Sequence, residues 1–81
     1  MLHQIIEETW TPGPSPKLIS RLGIHDAVDG WDAAYDHAKL LALEFAQLHG
    51  YIHNFAHNEQ SSYAWARAKD NPTMIHRFVV K

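Results

Sequence analysis

The longest regular pattern of apolar and polar positions runs from Asp26 to His49. At about 100° per residue, one arc of a helical wheel collects only apolar side chains. These are Trp31, Ala34, Tyr35, Ala38, Leu41, Ala42, Phe45, Ala46 and Leu48. Polar and charged residues fall outside the arc, namely Asp32, Asp36, Lys39, Glu44 and Gln47. The pattern predicts one long amphipathic helix with a buried face.

Both ends of this helix carry signals. Asp26 and Asp29, three residues apart, predict a carboxylate cap at the positive end of the helix. Gly50 predicts the stop, because glycine accepts the left-handed conformation that ends many helices.

The rest of the chain has extended patterns separated by turn signals. Two strands are predicted before the helix, at 2–10 and 17–24, joined by a proline-rich loop. Three follow it, at 51–57, 62–69 and 74–80, with polar turns at 58–61 and 70–73. The sequence therefore predicts a single α+β domain over residues 1–81. Its element order is ββαβββ, a five-stranded antiparallel sheet with one long helix packed on one face.

Alternation is perfect in the segment from Ser62 to Lys69 and makes it the candidate binding strand. Tyr63, Trp65, Arg67 and Lys69 share one face, and Ala64, Ala66 and Ala68 share the other. Because two cations are hard to bury, we expect the alanine face to meet the helix. The outer face then presents the aromatic and basic row, with Arg77 beside it on the next strand. The alternative buries Tyr63 and Trp65 and leaves Arg67 at the rim.

A second candidate surface lies on the helix. Leu40 and Leu43 fall on its polar side, near Asp36. They are either ordinary exposed leucines or the seed of a second interface that also includes Asp36. The chain is accordingly expected to be a monomer or a weak homodimer.

Composition narrows the class of protein. The chain is 46% hydrophobic and 11% aromatic, enough for a core, and it has no cysteine for disulfides or thiolate metal sites. No apolar run approaches the roughly 18 residues of a membrane span, and the acidic N-terminal segment does not fit a signal peptide. We expect a cytoplasmic protein with no membrane association.

Charge is unevenly distributed along the chain. Net charge is −2, with six of the seven Lys and Arg residues outside the 26–49 segment and five of the nine acids inside it. The two sides of the domain should carry opposite fields, although first-turn acids also simply complement a helix dipole.

Histidine spacing invites a metal hypothesis that the pattern does not support. His49, His53 and His57 are four apart, but Gly50 breaks the helix that would align them. On a strand, His53 and His57 lie about 13 Å apart, too far to chelate one ion, unless His76 or His3 on another strand contributes a ligand. No phosphate loop, nucleophile elbow or HExxH motif occurs. We expect no metal, no cofactor and no enzymatic activity.

The layout resembles that of small phage-encoded anti-CRISPR proteins, closest to type I-F inhibitors with two strands, an alanine-rich helix and three strands. The residues that carry the resemblance are Ala34, Ala38 and Ala42, then Gly50 and the strand Tyr63-Ala64-Trp65. The resemblance implies a non-enzymatic inhibitor in the host bacterial cytoplasm. It would bind a bacterial CRISPR-Cas surveillance complex and block its engagement with DNA.

Two functions remain open from the sequence. The first is a protein-binding inhibitor or adaptor. The second is a single-stranded nucleic-acid-binding module that uses the aromatic and basic face. The acidic total disfavours nucleic acid, because phosphate neutralisation dominates such affinity.

Overall fold

A computed structural model describes residues 1–57 and 61–81 of the chain, with Asp26 described by its backbone alone. The elements are β1 (Leu2–Trp10), β2 (Leu18–Asp29), α1 (Trp31–His49), β3 (Ile52–His57), β4 (Ser62–Arg67) and β5 (Ile75–Val80). Within these residues the strands form one antiparallel sheet in the order β2-β1-β5-β4-β3. The helix packs on one face of it, so the α+β class with a single helix on an antiparallel sheet is confirmed.

The helix begins later than the sequence pattern predicts. Asp26 lies in β2, and α1 starts at Trp31 after Gly30, which makes no side-chain cap. Asp29 instead accepts a 2.8 Å bond from the Met1 amino group. The predicted carboxylate cap is therefore wrong, because β2 continues as far as Asp29 to pair with the start of β1. Gly30, at φ 91°, then turns the chain into the helix.

The other end of the helix is as predicted. Gly50 adopts the left-handed conformation at φ 70°, and its N–H donates to the carbonyl of Ala46. Each of the three strands after the helix is shorter at one end than predicted, and β3 begins at Ile52. β4 ends at Arg67, so Lys69 lies beyond the strand, and β5 begins at Ile75. The polar turn predicted at 58–61 lies, apart from Ser61, outside the described residues.

Small side chains form the contact between helix and sheet. Ala34, Ala38, Ala42 and Ala46 are all buried on α1, and Ala64 and Ala66 are buried on β4. The alanine face of β4 thus points to the helix, as the alternation predicts, and Tyr63 and Trp65 lie on the other face. Larger residues complete the core around this contact, chiefly Ile5, Tyr35, Phe78 and Val80.

The buried face of the helix is narrower than the predicted arc. Leu48 is 80% exposed, and the residues on either side of it, Gln47 and His49, are exposed as well. Trp31, also on the predicted arc, is 38% exposed, and its ring contacts the rings of Tyr35 and His57. Phe45 is half-buried and packs against Phe78, as expected for a core-facing residue.

His76 is a polar residue on the helix side of the sheet. Its ring lies 4.5 Å from that of Phe45, and its buried Nδ1 has no hydrogen-bond partner in the described part of the chain. Burial lowers the pKa of His76 below its ordinary 6.5, and nearby His49 lowers it further, while Glu7 opposes the shift.

We expect Ala38→Leu to destabilise the domain by about 1–3 kcal/mol, because the added isopropyl group has no space between helix and sheet. Urea denaturation would measure the change. Ala33→Leu, on the exposed side of the same helix, is the control and should be close to neutral. Equal stability of both variants would contradict a close helix–sheet contact at Ala38.

We also expect His76 to make stability depend on pH. Its folded pKa lies below the unfolded 6.5, so the unfolded chain binds more protons between the two values. The contribution of neutral His76 to the free energy of unfolding is therefore fully present above about pH 6.5, and it is lost as pH falls towards the folded pKa. As pH drops below about 6.5, the urea midpoint of the wild type should fall relative to that of His76→Phe. A difference in urea midpoint between the two proteins that stays constant across pH would contradict a lowered pKa for His76.

Candidate binding site on the outer face of the sheet

The face of the sheet opposite the helix carries the candidate site. Cross-strand register places Glu8, Arg77 and Trp65 in one row across β1, β5 and β4. In the rows on either side, Val79 pairs with Tyr63, and Ile75 pairs with Trp10. Because β5 lies between β1 and β4, the last strand of the chain brings aromatic residues from both neighbours around Arg77.

Arg77 lies between two aromatic rings. Its guanidinium carbon is 4.5 Å from the ring centroid of Trp10 and 4.5 Å from that of Tyr63. Contacts of this kind attract a cation to the electron-rich ring face and hold the side chain in place. Arg67 makes a looser contact of the same type, 5.5 Å from the Trp65 ring, and its Nη1 donates to the Ala68 carbonyl.

The carboxylate nearest in register to Arg77 is engaged elsewhere. Glu8 is buried, and its Oε2 accepts a 2.9 Å bond from Nε of Arg21 while its Oε1 accepts a 3.2 Å bond from Nε1 of Trp10. The Nε of Arg77 is buried with no hydrogen-bond partner among residues 1–57 and 61–81. Across the described chain, the ion pairs likewise leave Arg77 without a carboxylate. Arg77 is thus an ordered but unpaired cation.

A pocket of about 130 Å³ opens beside this cation. Its lining residues are Tyr63, Trp65, Arg67, Ile75 and Arg77. The pocket combines apolar walls with two guanidinium groups, which suits an anionic group carried on an apolar segment.

Four of the five residues predicted for binding therefore line one pocket: Tyr63, Trp65, Arg67 and Arg77. Lys69 does not line it, because β4 ends before this residue. Sequence reasoning missed Trp10, Glu8 and Ile75, which meet the site only through strand order. Alternation within β1 could have placed Glu8 and Trp10 on a common face, but nothing in the sequence indicates which strand they adjoin.

The second predicted surface also lies beside a pocket. A groove of about 450 Å³ runs between α1 and β3, lined by Lys39, Leu40, Leu43, His53, Asn54 and Phe55. Leu40 is 46% exposed, and Leu43 is half-buried. Asp36 does not line the groove but contacts it through Lys39, whose Nζ is 3.8 Å from the Asp36 carboxylate.

Tyr35 joins the two elements on either side of this groove, α1 and β3. Its hydroxyl donates a 3.2 Å hydrogen bond to the Ala56 carbonyl of β3, and burial raises its pKa above 10.0. The Lys39 ammonium lies 4.3 Å from the ring centroids of both Tyr35 and Phe55.

The histidines do not converge in the described residues. No group of three or more His, Cys, Asp or Glu side chains there could hold a metal ion. His49 and His76 instead stack around Phe45 and Tyr51. In the same residues no helix is long and apolar enough to span a bilayer.

We expect a chelator such as EDTA to leave the thermal unfolding transition unchanged, because structural metal sites contribute folding energy and no closed ligand set is present in the described chain. Differential scanning calorimetry before and after dialysis tests this. A lowered transition, restored by stoichiometric zinc, would contradict it.

Fold and site together define a small α+β domain with a helix on one sheet face and a stacked, unpaired arginine on the other. No family model, no curated protein and no solved structure matches the chain. The resemblance to anti-CRISPR proteins therefore stays a prediction.

Proposed function

We propose that the chain is a non-enzymatic protein-binding domain that captures an acidic segment of its partner on the outer face of the sheet. The observation that carries the proposal is Arg77, held between Trp10 and Tyr63 without a carboxylate of its own among the described residues. An arginine fixed by flanking rings has already lost much of its side-chain freedom. A partner's carboxylate would therefore bind it with a smaller ordering cost.

The surroundings of Arg77 favour a protein over a nucleic acid. The pocket is small and includes the aliphatic Ile75, and Trp65 and Arg67 form its other walls. Tryptophan, tyrosine and arginine are the residues most enriched among the energetically dominant positions of protein interfaces. Nucleic-acid affinity depends on neutralising many phosphates, and a chain of net charge −2 with two arginines at the site offers few such contacts.

The partner we propose is a subunit of a bacterial CRISPR-Cas surveillance complex. The element order and the alanine-rich helix support this proposal through their resemblance to type I-F inhibitors. The bound domain would act by occupying a surface that the complex needs to engage DNA.

We expect Arg77→Gln and Trp65→Ala each to weaken partner binding about thirtyfold or more, the ~2 kcal/mol of a central anchor residue. The measurement is affinity capture on purified type I-F surveillance complex, followed by calorimetric titration and a DNA-binding competition assay. Lys69→Gln is the matched control, since this cation lies outside the pocket and its loss should change affinity little.

Thermal melting of each variant should stay within a few degrees of the wild type, because these side chains lie away from the helix-side core. Unfolding of Trp65→Ala would place that ring in the core and contradict the site. Full binding by Arg77→Gln would contradict it as well. Tighter binding of a single-stranded oligothymidylate than of any protein would favour the nucleic-acid function. If the domain does not bind the type I-F complex but captures another acidic protein in an Arg77-dependent manner, the proposed partner is wrong. The proposed binding site would still stand.

A further inference from the structure

The two edges of the sheet differ in how well they are protected from pairing with another strand. β2 forms one edge, and its register against β1 shifts at three places. Such irregularities bend an edge strand and disrupt its row of hydrogen-bonding groups. β3 forms the other edge and pairs with β4 in unbroken register from Ile52 to His57.

β3 also lacks the residues that usually block edge pairing. Its sequence, IHNFAH, contains no Lys, Arg, Asp, Glu or Pro. Natural proteins commonly place such residues on edge strands to prevent association. The β3 edge is therefore regular and free of Lys, Arg, Asp, Glu and Pro, a template to which a further strand can add.

One backbone donor at this edge is occupied by a neighbouring side chain. The N–H of Phe55 donates a 2.8 Å hydrogen bond to Oδ1 of Asn54. This N–H is thus directed to the open side of β3 and not to β4. Residues of like parity, His53 and His57, direct their backbone groups the same way.

The groove beside this edge offers space for the side chains of an added strand. Its walls are Leu40 and Leu43 on α1 and Phe55 on β3, and Phe55 is 54% exposed. An added strand would direct alternate side chains into the groove while its backbone pairs with β3. Lys39 brings little net charge, because Asp36 lies 3.8 Å away.

We propose that the occupant is β3 of a second copy of this chain, antiparallel about a two-fold axis perpendicular to the sheet. A two-fold contact joins identical patches, so each surface must complement itself. A strand without Lys, Arg, Asp or Glu and a groove with apolar walls meet this requirement, since the one lysine that lines the groove, Lys39, lies 3.8 Å from the Asp36 carboxylate. The two sheets become one continuous sheet, and the Phe55 ring of each copy lies next to the groove of the other. The Asn54 amide releases the Phe55 N–H to the second strand.

Sedimentation equilibrium over micromolar to millimolar chain concentrations tests the proposal. We expect a reversible monomer–dimer equilibrium for the wild type. Phe55→Lys and Leu40→Lys should each raise the dimer dissociation constant about tenfold or more, because each puts a cation at the interface. The matched controls are Leu48→Lys, on the same helix outside the groove, and Leu22→Lys on β2, and both should leave the constant unchanged.

Amide hydrogen exchange locates the contact independently of any substitution. Exchange at His53, Phe55 and His57 should slow as wild-type concentration rises, while exchange in β2 should not change. A wild type that is monomeric throughout would overturn the proposal. So would a dimer that Leu22→Lys disrupts and Leu40→Lys does not. Leu40→Lys changes an exposed helix position, so the test stands even where Phe55→Lys fails to fold.

Discussion

The structure depends on the close contact between a smooth helix face and a smooth strand. Four alanines at intervals of four residues on α1, and two on β4, are buried in this contact and let the two backbones approach closely. Because alanine buries little apolar area, this contact contributes little to the free energy of folding, and its role is to let the helix and the sheet pack closely. Most of the apolar burial comes from the larger residues around it, such as Ile5, Phe78 and Val80. The alanine contact thus sets how closely α1 packs on the sheet, and the larger residues around it supply most of the stabilisation.

The predictable part of the fold follows from periodicity and local stop signals. Alternation in β4 correctly predicts that Ala64 and Ala66 face the helix, and Gly50 marks the end of α1. The predicted start of the helix is wrong because the local capping signal of Asp29 competes with a distant contact. Pairing of β2 with the first residues of β1 prevails, and the Met1 amino group takes the Asp29 carboxylate. A single sequence shows the local signal but not the distant partner.

The same limit applies to the candidate site. Tyr63, Trp65 and Arg67 share a face because they share a strand, and periodicity reveals that directly. Trp10 and Glu8 are distant in sequence, and they meet Arg77 only because β5 inserts between the first and fourth strands. The charge pattern is likewise a product of topology: Glu8 binds Arg21 across β1 and β2, and Arg77 has no carboxylate partner among the described residues. Strand order, which the sequence does not specify locally, places Glu8 between Arg21 and Arg77, and the carboxylate binds Arg21.

Strict alternation in β4 also has a consequence for how the surface can change. Ser62, Ala64 and Ala66 are buried against the helix, while Tyr63, Trp65 and Arg67 are half-buried on the opposite side. Residues on the two faces share a backbone but few neighbours, so substitutions on one face should have largely additive effects with those on the other. The outer positions can therefore diversify, by natural drift or in a combinatorial library, while the inner ones keep the fold intact. A domain of 81 residues organised in this way is a compact scaffold whose specificity can evolve at little cost to its stability.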